Sequence, residues 1–186
     1  MSFRNIHAHG FVRIACAAPR LKVADPAFNV AETIAMLRRA DEGGASLCLF
    51  PELGISAYAI DDLLQQNALL DAVNDALARL VAESRSLRCV AVVGAPLRVD
   101  GRLFNCAVAI HRGRILAAVP KTYLPNYREF YERRQFASGE RASTLYIDLC
   151  GQEVPFGTDI LLTASDVSDF VVHMEICEDV WTPIPP

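Results

Sequence analysis

The chain has 186 residues, 52% of them hydrophobic, a mean hydropathy of +0.23 and a formal net charge of −4, which suits one domain around a single core. A pI near 5.5 argues against a nucleic-acid binder, which normally presents a basic face, and no apolar stretch approaches the roughly 20 residues that span a bilayer. The cysteines at 16, 48, 89, 106, 150 and 177 lie mostly in apolar segments without paired spacing; with no export signal around Arg13 to Arg20, this excludes a disulfide framework and points to the cytoplasm.

Residues 11–17 read as a strand. A helix follows over 26–42, with Val30, Ile34 and Leu37 at helical spacing and Gly43 and Gly44 closing it. Residues 45–50 form a buried strand that ends at Glu52. A second helix over 69–87 places Leu70, Val73, Leu77, Leu80 and Val81 on one face. Residues 89–95 are a strand, and 103–111 with 114–119 make a hairpin turning at Arg112-Gly113. The loop after Lys121 carries a short helix over 127–134, on which Arg128, Arg133 and Arg134 interleave with Glu129 and Glu132 as a solvated face. Strands over 144–149 and 171–176 end the pattern, which has no internal repeat or low-complexity linker and reads as α/β with mixed sheets.

Three segments each place one reactive side chain just past an apolar run: Glu52, Lys121 and Cys177. A thiol with a reference pKa of about 8.5 is mostly protonated at neutral pH and needs a base. A carboxylate accepts that proton, while a lysine favours the thiolate and stabilises the oxyanion formed when sulfur attacks a carbonyl. Together they describe acyl transfer from an amide. Taken singly, each has an ordinary reading: a packed cysteine, a loop glutamate, a surface lysine. His173, Glu175 and Cys177 alternate along one strand face, yet without a Cys-x-x-Cys or His-x-x-x-His partner they do not read as a zinc site.

The segments LCLFPELGISAYAIDDLL (47–64), GRILAAVPKTYLPNYREFYERRQFASG (113–139) and VVHMEICEDVWTPIPP (171–186) resemble the carbon–nitrogen hydrolase, or nitrilase, superfamily. Within it, YREFYERRQF, the HGFVRIA opening and EICEDVW are most similar to the glutaminase domain of glutamine-dependent NAD synthetases. The resemblance runs along nearly the whole chain. It refines the fold to an αββα sandwich, incomplete at its C-terminus, with residues 1–186 forming the N-terminal portion of that domain.

The resemblance implies Glu52 as general base, Lys121 as transition-state stabiliser and Cys177 as nucleophile. Glu132, opening a Glu-x-x-x-Phe-x-x-Gly pattern that ends at Gly139, matches a second glutamate beside the triad. Tyr127 and Glu178 match positions that hold the amino-acid end of glutamine. Tyr58 and Phe130 are expected to wall the pocket, although core packing accounts for them equally. Ala57 stands where relatives often have Gly, which costs something if the position needs a positive φ. Amide hydrolysis needs no cofactor, whereas ATP and Mg²⁺ act in a synthetase domain whose Ser-Gly-Gly-x-Asp-Ser signature this sequence lacks. The expected partners are therefore glutamine, that C-terminal domain and further copies in a homo-oligomer, with neither nucleic acid nor membrane involved. Two alternatives stay open: an independent amidase acting on another small amide, shortened and completed by a second copy, and an assembly module without catalysis.

Overall fold

The computed structural model describes residues 5–186. Its main sheet and two long helices are β1 (Ile14–Cys16), α1 (Pro26–Glu42), β2 (Leu47–Leu49), α2 (Asn67–Glu83), β3 (Val90–Val99), β4 (Arg102–His111) and β5 (Arg114–Pro120). Local chemistry sets α1 at the bounds read from the sequence: Pro26 occupies its first turn, and the Asp25 carboxylate accepts from the Phe28 N–H at 3.0 Å. At the other end Gly44 turns the chain at φ 72°.

The strands form one sheet in the order β1-β2-β3-β4-β5, parallel across the first three and antiparallel across the last three. Both helices pack on one face, where Val30, Leu37, Val73, Leu77 and Leu80 meet Cys48, Val93, Cys106 and Val108. The alternate residues Val92, Ala107, Ala109, Ala117 and Val119 face the other way, as the period of two requires, and meet Met174 and Ile176.

The mixed α/β class is therefore present, ordered as helices, sheet and then the segment that leads to Cys177. Two strands escape the sequence reading, and a third is longer than expected. β3 runs to Val99, past the expected end at 95, and joins β4 through Asp100-Gly101. Pro96 is tolerated because the β2 ladder ends at Val92, so beyond it a missing N–H on that side breaks no strand pairing. β6 (Tyr146–Leu149) pairs with the unexpected β7 (Gln152–Pro155), and the unexpected β8 (Leu161–Thr163) pairs with β9 (Val171–His173).

The strand expected over 171–176 stops at His173. The helix expected over 127–134 is also absent: Arg128 sits at φ 52°, which interrupts right-handed helix, and a single 3₁₀ turn forms at Glu132–Arg134. Arg128, Glu129, Arg133 and Arg134 are exposed, as a solvated face requires, with Arg134 in a surface pair with Asp62 at 3.0 Å, whereas Glu132 departs from that face and is buried. Ala57 does adopt a positive φ, 68°, so the strain foreseen for a residue with a Cβ at that place is present.

Candidate active site

Because β5 is antiparallel to β4 and β4 to β3, β5 runs parallel to β2 and both end on the same edge of the sheet. Ligand sites of α/β sheets gather beyond such carboxyl ends. Lys121 follows β5 directly. Glu52 lies three residues past β2, from which β5 is separated by two intervening strands, roughly 14 Å at the usual strand spacing. The turn after Pro51 crosses that gap over β3 at Gly94, where an added Cβ would lie 2.2 Å from the Leu53 nitrogen and 2.7 Å from the Pro51 oxygen. Only a glycine lets the two backbones touch there.

Crossing the sheet delivers Glu52 to Lys121, 69 residues away in sequence. The Lys121 ammonium is fully buried and bridges two carboxylates, Glu52 Oε1 at 2.7 Å and Glu132 Oε1 at 2.9 Å. Burial pulls its pKa down, but Glu52 and then Glu132 more than reverse this, so the charge is held above the ordinary lysine range. Burial raises Glu132, while the Tyr58 hydroxyl and Lys121 oppose that rise.

Cys177 opens a 3₁₀ turn (Cys177–Trp181) at φ 49° and is exposed. Its thiol is raised, first by desolvation and then by Glu52, Glu132 and Glu178, with Lys121 pulling the other way. The four charges thus all act on one sulfur, which rests as a thiol and needs a base to become a nucleophile. The Cys177 segment is tied to the chain after Lys121 by Asp179, a buried carboxylate that accepts from the N–H groups of Thr122 (3.2 Å), Tyr123 (2.8 Å) and Ile176 (3.2 Å).

With that geometry in view, residues 13–184 match the carbon–nitrogen hydrolase family. The chain belongs to the carbon–nitrogen hydrolase family. Over its full length it is 53% identical to the glutamine-dependent NAD(+) synthetase of Mycobacterium tuberculosis, of which it spans 27%. The glutamine-dependent NAD(+) synthetase of Cytophaga hutchinsonii superposes with a TM-score of 0.76 over 83% of this chain and 26% of that one, at 24% identity, a likeness of fold. An amidase from Nesterenkonia sp. superposes with a TM-score of 0.59 over 76% of this chain and 53% of that one, at 25% identity. The chain therefore spans about a quarter of the length of the curated relatives it matches.

In this carbon–nitrogen hydrolase, the residues expected to bind substrate divide between two neighbouring hollows. One, of about 160 Å³, is lined by Leu53, Tyr58, Phe130, Glu132 and Phe136. The other, of about 600 Å³, is lined by Tyr127, Glu178, Thr182 and again Phe136. Tyr127 donates to both oxygens of Glu178 at 3.0 Å and meets Phe130 edge-on at 6.1 Å, which links the two. Tyr58 does more than line a wall, since its hydroxyl donates to Glu132 Oε1 at 2.7 Å. Its own proton is held more firmly than in a free phenol, chiefly by desolvation and by Glu132.

Sequence reasoning missed Asn105 and Asp179. A polar Asn in the apolar run Leu103 to Ile110, and a second acid beside Cys177-Glu178, were the available signals. The remaining thiols are not uniformly hidden, as their apolar segments suggested. Cys48 and Cys89 are buried and pushed up to about 11 and about 12 by desolvation. Cys16, by contrast, is exposed because β1 forms an edge of the sheet.

Proposed function

We propose that this chain hydrolyses the side-chain amide of glutamine through a thioester on Cys177. The observation that carries the reading is the buried Lys121 ammonium bridging Glu52 and Glu132 within electrostatic reach of the Cys177 thiol. Glu52 takes the thiol proton as sulfur attacks the carboxamide carbon. Lys121 and the backbone N–H of Glu178 stabilise the oxyanion, and Glu52 returns the proton to the departing ammonia. Water, activated by Glu52, then cleaves the γ-glutamyl thioester to glutamate and regenerates the thiol. Tyr127 and Glu178 suit the substrate ammonium, which a carboxylate recognises by charge-assisted hydrogen bonds.

The names of the full-length relatives support glutamine as the amide and NAD synthesis as the fate of the ammonia. ATP and Mg²⁺ would then act in a separate synthetase domain. The test is ammonia release in the native protein, over glutamine and a panel of other small amides. Glutamine should be preferred, and Glu52→Gln should lower turnover by at least about 10², the lower bound for a general base. A glutamine-like diazo-ketone should label Cys177 and spare Cys16. Wild-type turnover in Glu52→Gln, or labelling that bypasses Cys177, would overturn the mechanism.

A further inference from the structure

Glu52 is held by more than Lys121. Asn105 lies on β4, and by strand alternation it shares the face of Ala107 and Ala109, opposite the helices. Its side chain is fully buried, and Nδ2 donates to Glu52 Oε1 at 2.6 Å. Its backbone oxygen accepts from the Lys121 N–H at 2.8 Å. One residue therefore contacts both charged partners, the carboxylate through its side chain and the lysine through its backbone.

Both hydrogen bonds to Glu52 arrive at the same oxygen: Oε1 accepts from Asn105 Nδ2 and from Lys121 Nζ. Among the described residues no hydrogen bond reaches Oε2. An oxygen that accepts two donors, one of them charged, is the less basic of the pair, and its lone pairs are occupied. We propose that Asn105 is a positioning residue which, together with Lys121, commits Oε1 to structural hydrogen bonds and leaves Oε2 as the oxygen that exchanges the proton with Cys177 and ammonia. Burial of an amide in an apolar strand is itself costly, and Asn105 Oδ1 has no partner. A side chain kept only for packing would not leave that atom unsatisfied, whereas one whose amino group must reach Glu52 has to accept it.

This inference rests on Glu52 acting as general base, and the test separates the two. In the native protein, Asn105→Leu removes the donor at similar volume, and Asn105→Asp removes it at identical shape. With native thermal unfolding as the criterion for a usable variant, either should lower kcat for glutamine by about 10- to 100-fold, the scale of a lost hydrogen bond to a charged group, with KM within about twofold. A loss confined to kcat, with KM and thermal unfolding kept, is the signature of a base that is present but misplaced. A purely structural role would leave kcat in place in a natively folded variant. If Glu52→Gln loses turnover while a natively folded Asn105 variant keeps wild-type kcat, the inference falls and the base assignment stands. If Glu52→Gln keeps wild-type turnover, both fall.

Discussion

Desolvation raises the Cys177 thiol, the three carboxylates Glu52, Glu132 and Glu178 raise it further, and Lys121 alone works against them. A resting thiolate is thus disfavoured, and the site draws its nucleophile from proton transfer at the moment of attack. This gives Glu52→Gln two effects of opposite sign. It removes the base, so amide turnover falls. It also removes a negative neighbour, so the thiol's pKa drops and its thiolate fraction at a given pH rises. We expect the midpoint of iodoacetamide alkylation of Cys177 against pH to lie above the ordinary thiol value in the wild type and to fall in Glu52→Gln. Peptide mapping is needed to separate Cys177 from the exposed Cys16. An unchanged or higher midpoint would show that Glu52 does not act on the sulfur.

Elements meet here through backbone groups as much as through side chains. The 3₁₀ turn that begins at Cys177 has little apolar anchoring, since Val180 and Trp181 are exposed, and Asp179 supplies what packing does not. Its carboxylate gathers three N–H groups from both sides of the site, at Thr122, Tyr123 and Ile176. Desolvation raises its pKa, and those backbone donors, with Lys121, restrain the rise. Asp179→Ala leaves buried donors without an acceptor, which should cost at least about 2 kcal/mol and loosen the thiol's position. Asp179→Asn keeps one oxygen and should lose less on both counts. Urea unfolding midpoints and kcat for glutamine report the two effects, and unaltered values in Asp179→Ala would remove it as a clamp.

At the level of the whole molecule, the β6–β7 hairpin extends the helix-side core past the edge of β5. Phe156 pairs with Ala118 as an isolated parallel bridge and meets Phe104 edge-on at 5.4 Å. Both rings are almost fully buried with Leu149 and Val154 in the core beneath the helices. Phe156→Ala should therefore cost about 3–5 kcal/mol, the range for removing a buried aromatic ring. Because that core lies on the face away from Asn105, Met174 and Ile176, the alkylation midpoint of Cys177 should not move in the folded protein. A parallel shift of both would mean that the two faces of the sheet are coupled.

What could be read from the sequence is what neighbouring residues decide among themselves. The bounds of α1 follow from Asp25, Pro26 and the closing glycines, and the turn at Arg112-Gly113 from its own two residues. The placement of Glu52, Lys121 and Cys177 past apolar runs is likewise local, and the motifs around them carried the family. Tertiary structure alone decided which oxygen of Glu52 is engaged, that Asn105 and Asp179 serve the site, and that Tyr58 donates to Glu132. Each of those contacts joins residues brought together by strand order, except the bond from Ile176 to its near neighbour Asp179. Hydrophobic periodicity reports which face a residue takes, and it is silent on which polar partner waits there. The turn after Pro51 reaches Lys121 only because Gly94 lets it lie against β3, a fact of close approach between backbones far apart in sequence that no local pattern encodes.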